Sequence, residues 1–117
     1  MNCYFDGAIN QDYKQIFKIW HPDAKIMSLN KDKSLKIYDR EIWKEWYEKA
    51  VKDPDVKRTA EILNINNYGI AANAKVKIII ESPKEKIIYV DYLNFLKIEE
   101  KWQITNKIFN TEHYPKE

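Results

Sequence analysis

From residue 59 onward the chain repeats one pattern, an apolar-rich extended run followed by a short polar break. The runs cover Thr59 to Asn67, Ala72 to Glu81, Ile87 to Ile98 and Trp102 to Phe109, and the breaks fall at Tyr68-Gly69, Ser82-Pro83-Lys84 and Glu99-Glu100. Links this short join neighbouring antiparallel strands, so the pattern predicts a meander. Ahead of residue 59 the period changes. Tyr13, Ile16, Phe17 and Trp20 recur at helical spacing behind Asp12, which predicts a capped helix with one buried face, ended where Pro22 forces His21 out of the α region. A shorter helix around Tyr4, Phe5, Ala8 and Ile9 precedes it and is interrupted near Asn10-Gln11.

Ala24 to Leu29 and Leu35 to Tyr38 flank the polar stretch Asn30 to Ser34 and predict a hairpin. Asp39 then caps a helix that gathers Ile42, Trp43, Trp46, Tyr47, Ala50 and Val51 on one side, with Lys44 and Glu48, and Glu45 and Lys49, as exposed pairs; Asp53-Pro54-Asp55 closes it. Helices and a hairpin followed by a meander predict an α+β fold, with helices covering one face of a curved antiparallel sheet. Two strands are apolar on both faces, at Ile78-Ile79-Ile80 and at Ile87 to Val90 continued by Tyr92, Leu93, Phe95 and Leu96. The face turned away from the helices therefore meets either a second copy of the chain, giving a homodimer, or the C-terminal tail.

The 117 residues fit one domain, 1–117, and a composition 44% hydrophobic and 14% aromatic excludes disorder. Twenty basic residues against 18 acidic ones leave a net charge of +2, interspersed, which implies no nucleic-acid footprint. No apolar run approaches the roughly 20 residues of a spanning helix, so no membrane is expected. Met1-Asn2-Cys3-Tyr4 lacks the features of a secretion signal, and a cytoplasmic location is the default expectation. Cys3 is the single cysteine, His21 and His113 lie far apart, and Gly7 and Gly69 are the only glycines. No disulfide, metal, nucleotide or other cofactor is implied.

Taken together, Tyr4-Phe5-Asp6-Gly7, Trp20-His21-Pro22-Asp23-Ala24, Asp39-Arg40-Glu41-Ile42-Trp43, Asp91-Tyr92-Leu93 and Trp102 to Phe109 resemble the nuclear transport factor 2-like superfamily, in its subgroup labelled "putative lumazine-binding" or SnoaL-like. The resemblance spans nearly the whole chain. It implies a cone-shaped α+β barrel of the cystatin-like kind, whose bent sheet wraps a pocket closed by helices and which commonly dimerises through sheet surfaces.

The superfamily includes ketosteroid isomerase, to which the chain is similar in register from Tyr4 to Ala24. That similarity sets Tyr4 on the oxyanion-hole tyrosine, Tyr47 on a supporting tyrosine and Trp20 in place of a third. Ser28 stands where the isomerase has its general base, and a serine hydroxyl does not shuttle protons near neutral pH as a carboxylate does. The isomerase's protonated acid falls near Asp91 or Tyr92, depending on the turn at Glu99-Glu100, because a one-residue change of register flips a strand. A three-residue loop with a bulge pairs Leu93 with Thr105, sets Asp91 opposite Lys107 and Tyr89 opposite Phe109, and turns Trp102 and Ile104 outward. This is the preferred register. A two-residue loop instead brings Trp102, Ile104 and Asn106 inside, and Asp91 faces inward in both.

Asp91 interrupts an apolar strand, so it either serves a ligand or forms a structural pair with Lys107. Tyr4 and Tyr47 are either ligand donors or core aromatics with satisfied hydroxyls. The candidate ligand-binding set is Tyr4, Trp20, Ser28, Trp43, Tyr47, Tyr89, Asp91, Lys107 and Phe109, with Asp91 the candidate catalytic residue. The leading functional expectation is a pocket for a small, mostly apolar or planar ligand. The alternatives are an isomerase, cyclase or dehydratase using Asp91, and a non-catalytic dimerisation module.

Overall fold

The computed structural model describes residues 18–39, 41–42, 44–45 and 55–116. They form a six-stranded sheet: β1 (Trp20–Leu29), β2 (Leu35–Tyr38), β3 (Lys57–Tyr68), β4 (Ala71–Glu81), β5 (Glu85–Ile98) and β6 (Lys101–Pro115). The spatial order is β2-β1-β6-β5-β4-β3, with β1 parallel to β6 and every other pair antiparallel. The predicted meander and hairpin are therefore present, and the sheet curves. The helices expected at residues 4–17 and 46–51 lie outside the described residues. Residues 41, 42, 44 and 45 are helical, and Asp39 caps them as expected, its Oδ1 accepting from the Ile42 amide at 2.9 Å.

The sequence misplaces one boundary. Trp20 is not the last residue of a helical stripe but the first of β1, paired with Ile104, and the Ile104 amide donates to the Ile19 carbonyl. The irregular stretch between Trp20 and Lys25 holds Pro22, which has no N–H to give the ladder.

Alternation then fixes the two faces. Ala74, Val76 and Ile78 on β4 lie opposite Leu93, Asp91 and Tyr89 on β5. With Trp20, Ala24, Ile26, Tyr38, Phe95 and Ile104, the apolar members of this inner face form the buried core, with Tyr89 packed against its edge. The outer face keeps Tyr92, Leu96 and Ile108 exposed, so the strands that read as apolar on both sides are so. It also carries a row of asparagines: Asn73 Nδ2 donates to Asn94 Oδ1 at 2.8 Å, and Asn94 Nδ2 to Asn106 Oδ1 at 3.2 Å.

The β5–β6 turn corrects both expected registers. Glu99 and Glu100 form a two-residue turn with φ of 49° and 68°, the doubly left-handed geometry of tight hairpins. Phe95 thus pairs with Ile104, and Trp102 and Ile104 face inward. A bulge follows at Thr105, whose hydroxyl donates to the Asn94 carbonyl at 3.3 Å. The extra residue restores the opposite parity, so Leu93 pairs with Lys107, Asp91 with Phe109 and Tyr89 with Thr111, and Asn106 turns outward. The preferred three-residue loop is wrong, as are its pairs Leu93–Thr105, Asp91–Lys107 and Tyr89–Phe109. Nor does β6 end at Phe109; it continues to Pro115 along β5.

Candidate functional site

Among the described residues Asp91 is the one charged residue that is buried, with 1% of its surface exposed. Strand alternation forces it inward between Tyr89 and Leu93, and the Thr105 bulge brings Lys107 to the same face. The Lys107 ammonium lies 3.4 Å from Asp91 Oδ2 and is itself mostly buried. The structural pair considered from sequence therefore exists, made diagonally rather than directly across the strands. Lys107 also sits 5.6 Å from the centroid of the Phe109 ring, so ammonium, carboxylate and aromatic face make one unit.

Next to this unit, toward the β1–β2 hairpin, the inner face opens into a cavity of about 380 Å³. Tyr38, Tyr89 and Phe109 supply aromatic wall, Ser28 and Thr111 hydroxyls, and Lys31 and Lys36 charge. The Tyr89 and Phe109 rings are 5.9 Å apart and tilted by 58°, which leaves ring faces toward the cavity edge rather than a closed stack. Burial holds the Tyr89 phenol above its ordinary pKa. Nearby Arg58 opposes that shift, while Asp91 and Glu85 add to it.

A second cavity of about 280 Å³ lies at the far end of the inner face, against Ile65, Ala72, Phe95 and Trp102. Asn67 and Asn73 are its polar lining, and among the described residues no charged side chain lines it. The chemistry gathers at the β1–β2 end.

Of the candidates from sequence, the structure brings together Ser28, Tyr89 and Phe109 at the cavity and Asp91 with Lys107 beside it. Trp20 is on the inner face but packed in the core. Tyr4, Trp43 and Tyr47 lie outside the described residues. The reading of the sequence missed Tyr38, Thr111, Lys31 and Lys36. Tyr38 was assigned to a strand without a face, and Ser28 two pairs away along the hairpin is the signal that could have placed it. Thr111 fell beyond the expected end of β6. His113 lies on β6 with an exposed side chain and hydrogen-bonds Glu85 through Nε2. Among the described residues no cluster of His, Cys, Asp and Glu could hold a metal ion, and no helix is long and apolar enough to cross a membrane.

Comparison with known proteins bears on the fold. The model of the family described as "Putative lumazine-binding" matches residues 1–110. None of the curated proteins matches the chain in sequence. Among solved structures, it is similar to an NTF2-like protein of unknown function from Shewanella baltica, with TM-score 0.81 and 23% identity over 95% of this chain and 86% of that one. A domain of unknown function with a cystatin-like fold from Nostoc punctiforme gives TM-score 0.71 at 13% identity, covering 93% and 70%. The hexachlorocyclohexane dehydrochlorinase LinA-type3 from Novosphingobium barchaimii gives 0.76 at 12%, covering 98% and 84%. Identities this low carry architecture and not activity. The fold is nuclear transport factor 2-like, as the sequence motifs implied.

Proposed function

We propose that this chain, which belongs to the "Putative lumazine-binding" family, binds a small planar molecule in the cavity on the inner face of its sheet. One observation carries the reading: Tyr38, Tyr89 and Phe109 wall a cavity of about 380 Å³, edged by the hydroxyls of Ser28 and Thr111 and set beside the buried Asp91–Lys107 pair. Apolar walls with a few placed polar groups are the usual form of a small-molecule site. Flat rings favour flat ligands, because stacking area grows with coplanar overlap. The family description names lumazine, a planar bicyclic heterocycle, which is of this class. By the resemblance to ketosteroid isomerase, Tyr4 and Tyr47 supply further hydroxyls. Native mass spectrometry of the protein as purified tests the reading directly. A bound species that is lost from the Tyr89→Ala/Phe109→Ala variant is expected; retention by that folded variant removes the cavity from consideration.

A second reading is favoured by the burial of the Asp91 carboxylate beside an amine, an arrangement able to exchange a proton with a ligand. In it the protein is an isomerase, cyclase or dehydratase. Asp91→Asn separates the two, since lost turnover with retained affinity supports the enzyme. Independently of either, the apolar outer face supports a homodimer, with Tyr92 and Ile108 at its centre. Sedimentation of Tyr92→Glu should then show monomers. If the wild type already sediments as one, the outer face has another role.

A further inference from the structure

The outer face carries a polar row that its apolar residues do not require. Asn66 on β3, Asn73 on β4, Asn94 on β5 and Asn106 on β6 are successive partners across four neighbouring strands. The last three are hydrogen-bonded in one direction. Asn73 Nδ2 donates to the Leu93 carbonyl at 3.3 Å and to Asn94 Oδ1 at 2.8 Å, and Asn94 Nδ2 donates to Asn106 Oδ1 at 3.2 Å. The Leu93 carbonyl takes only a donor, so it fixes which way the first amide points, and each amide sets the next. Among the described residues Asn73 Oδ1 accepts no hydrogen bond and Asn106 Nδ2 donates none. The row therefore ends in an acceptor on β4 and a donor on β6.

We propose that this row selects how two copies of the chain pair through their outer faces, with the twofold axis running along β5 over Asn94. The inference rests on the outer-face homodimer and adds its orientation. A row of lysines or of carboxylates repels its own copy, whereas an amide carries both donor and acceptor and can pair with itself. Two aligned sheets can meet about an axis along the strands or about one along the row. Rotation about β5 reverses the strand order, which lays Asn106 of each copy over Asn73 of the other. Donor then meets acceptor at both ends of the row. Tyr92 and Leu96, exposed on β5 at either side of Asn94, each meet their own copy. Rotation about the row instead lays Asn73 over Asn73 and Asn106 over Asn106, acceptor on acceptor and donor on donor. Apolar contact is non-directional and does not make this choice. The amides make it, as a single asparagine fixes the register of an apolar coiled-coil seam.

The test places single cysteines on the row, in the full chain carrying Cys3→Ser, and joins them with a short bismaleimide while the wild type is sedimented alongside. Asn94→Cys lies on the axis and should crosslink to itself. Asn73→Cys alone and Asn106→Cys alone should each give little crosslinked dimer, because the rotation carries each position away from its own copy. Their mixture should crosslink readily, and its heterodimer keeps the second Asn106–Asn73 contact intact. A dimeric wild type whose Asn94→Cys variant does not crosslink, or a mixture that crosslinks no better than its components alone, overturns the role of the row while leaving the dimer intact. A monomeric wild type overturns the dimer and the row together.

Discussion

Replacing Lys107 by Met should destabilise the protein far more than replacing Asp91 by Asn, although both break the same pair. With Nζ and Oδ2 at 3.4 Å, the attraction is about 5 kcal/mol at an effective dielectric of 20. Withdrawing two ions from water offsets most of that, so the intact pair is close to break-even against an apolar pair of equal volume. The single changes differ because burial differs. Lys107→Met takes the ammonium away from a carboxylate with 1% exposure, and breaking a buried pair from that side costs about 3–5 kcal/mol. Asp91→Asn leaves an ammonium on a flexible stem with 13% of its side chain already exposed, which can swing to water, for a loss of about 1–2 kcal/mol. Against a total stability of roughly 5–15 kcal/mol, the first change should lower the urea midpoint by about 2 M, at a slope of about 2 kcal/mol per molar urea. Asp91→Leu/Lys107→Met should recover most of the loss. A Lys107→Met midpoint within about 0.5 M of wild type, or a double variant no better than that single one, would refute the assignment of these two groups as a buried pair.

Leu93→Ala, at a side chain with no exposed surface among Ala74, Val76 and Ile104, should cost about 2–5 kcal/mol by chemical denaturation without altering the strand register. Glu99→Asn with Glu100→Gly should stabilise by about 1 kcal/mol and raise the melting temperature by several degrees, because both positions have left-handed φ and the Lys97–Glu100 ion pair that the change removes is largely in solvent. Tyr89 is held neutral above its ordinary pKa of about 10, so the unfolded chain gives up this proton first and stability falls as pH rises from about 10 toward the folded value. A tyrosinate absorbance titration should show late-ionising phenols, Tyr114 beside Glu112 among them, and Tyr89→Phe should remove one and lose that part of the alkaline destabilisation.

What was legible in the sequence follows from what the pattern records. Alternation at Ala74, Val76 and Ile78, and again at Asp91, Leu93 and Phe95, reports burial on one face of a strand, and the structure places those residues there. Alternation is blind to a residue inserted into one strand only. Both Ile104 and Lys107 face inward, an arrangement no unbroken strand allows, and the resolving element is Thr105, whose bulge is written in backbone pairing rather than in side-chain type. Reading β6 as one regular strand therefore required giving up either Ile104 or Lys107. The same blindness hid the far end of β6. Thr111 and His113 look like a solvated tail because polarity in a strand usually means water, yet each continues the inner-face row begun by Lys107 and Phe109, opposite Tyr89 and Ile87. Both side chains are exposed, so their polarity does report water; what it hides is that the ladder with β5 goes on. Where a strand turns polar while its ladder continues, it has run past the edge of the buried core: Thr111 borders the cavity with Tyr89 and Phe109, and His113 pairs with Glu85.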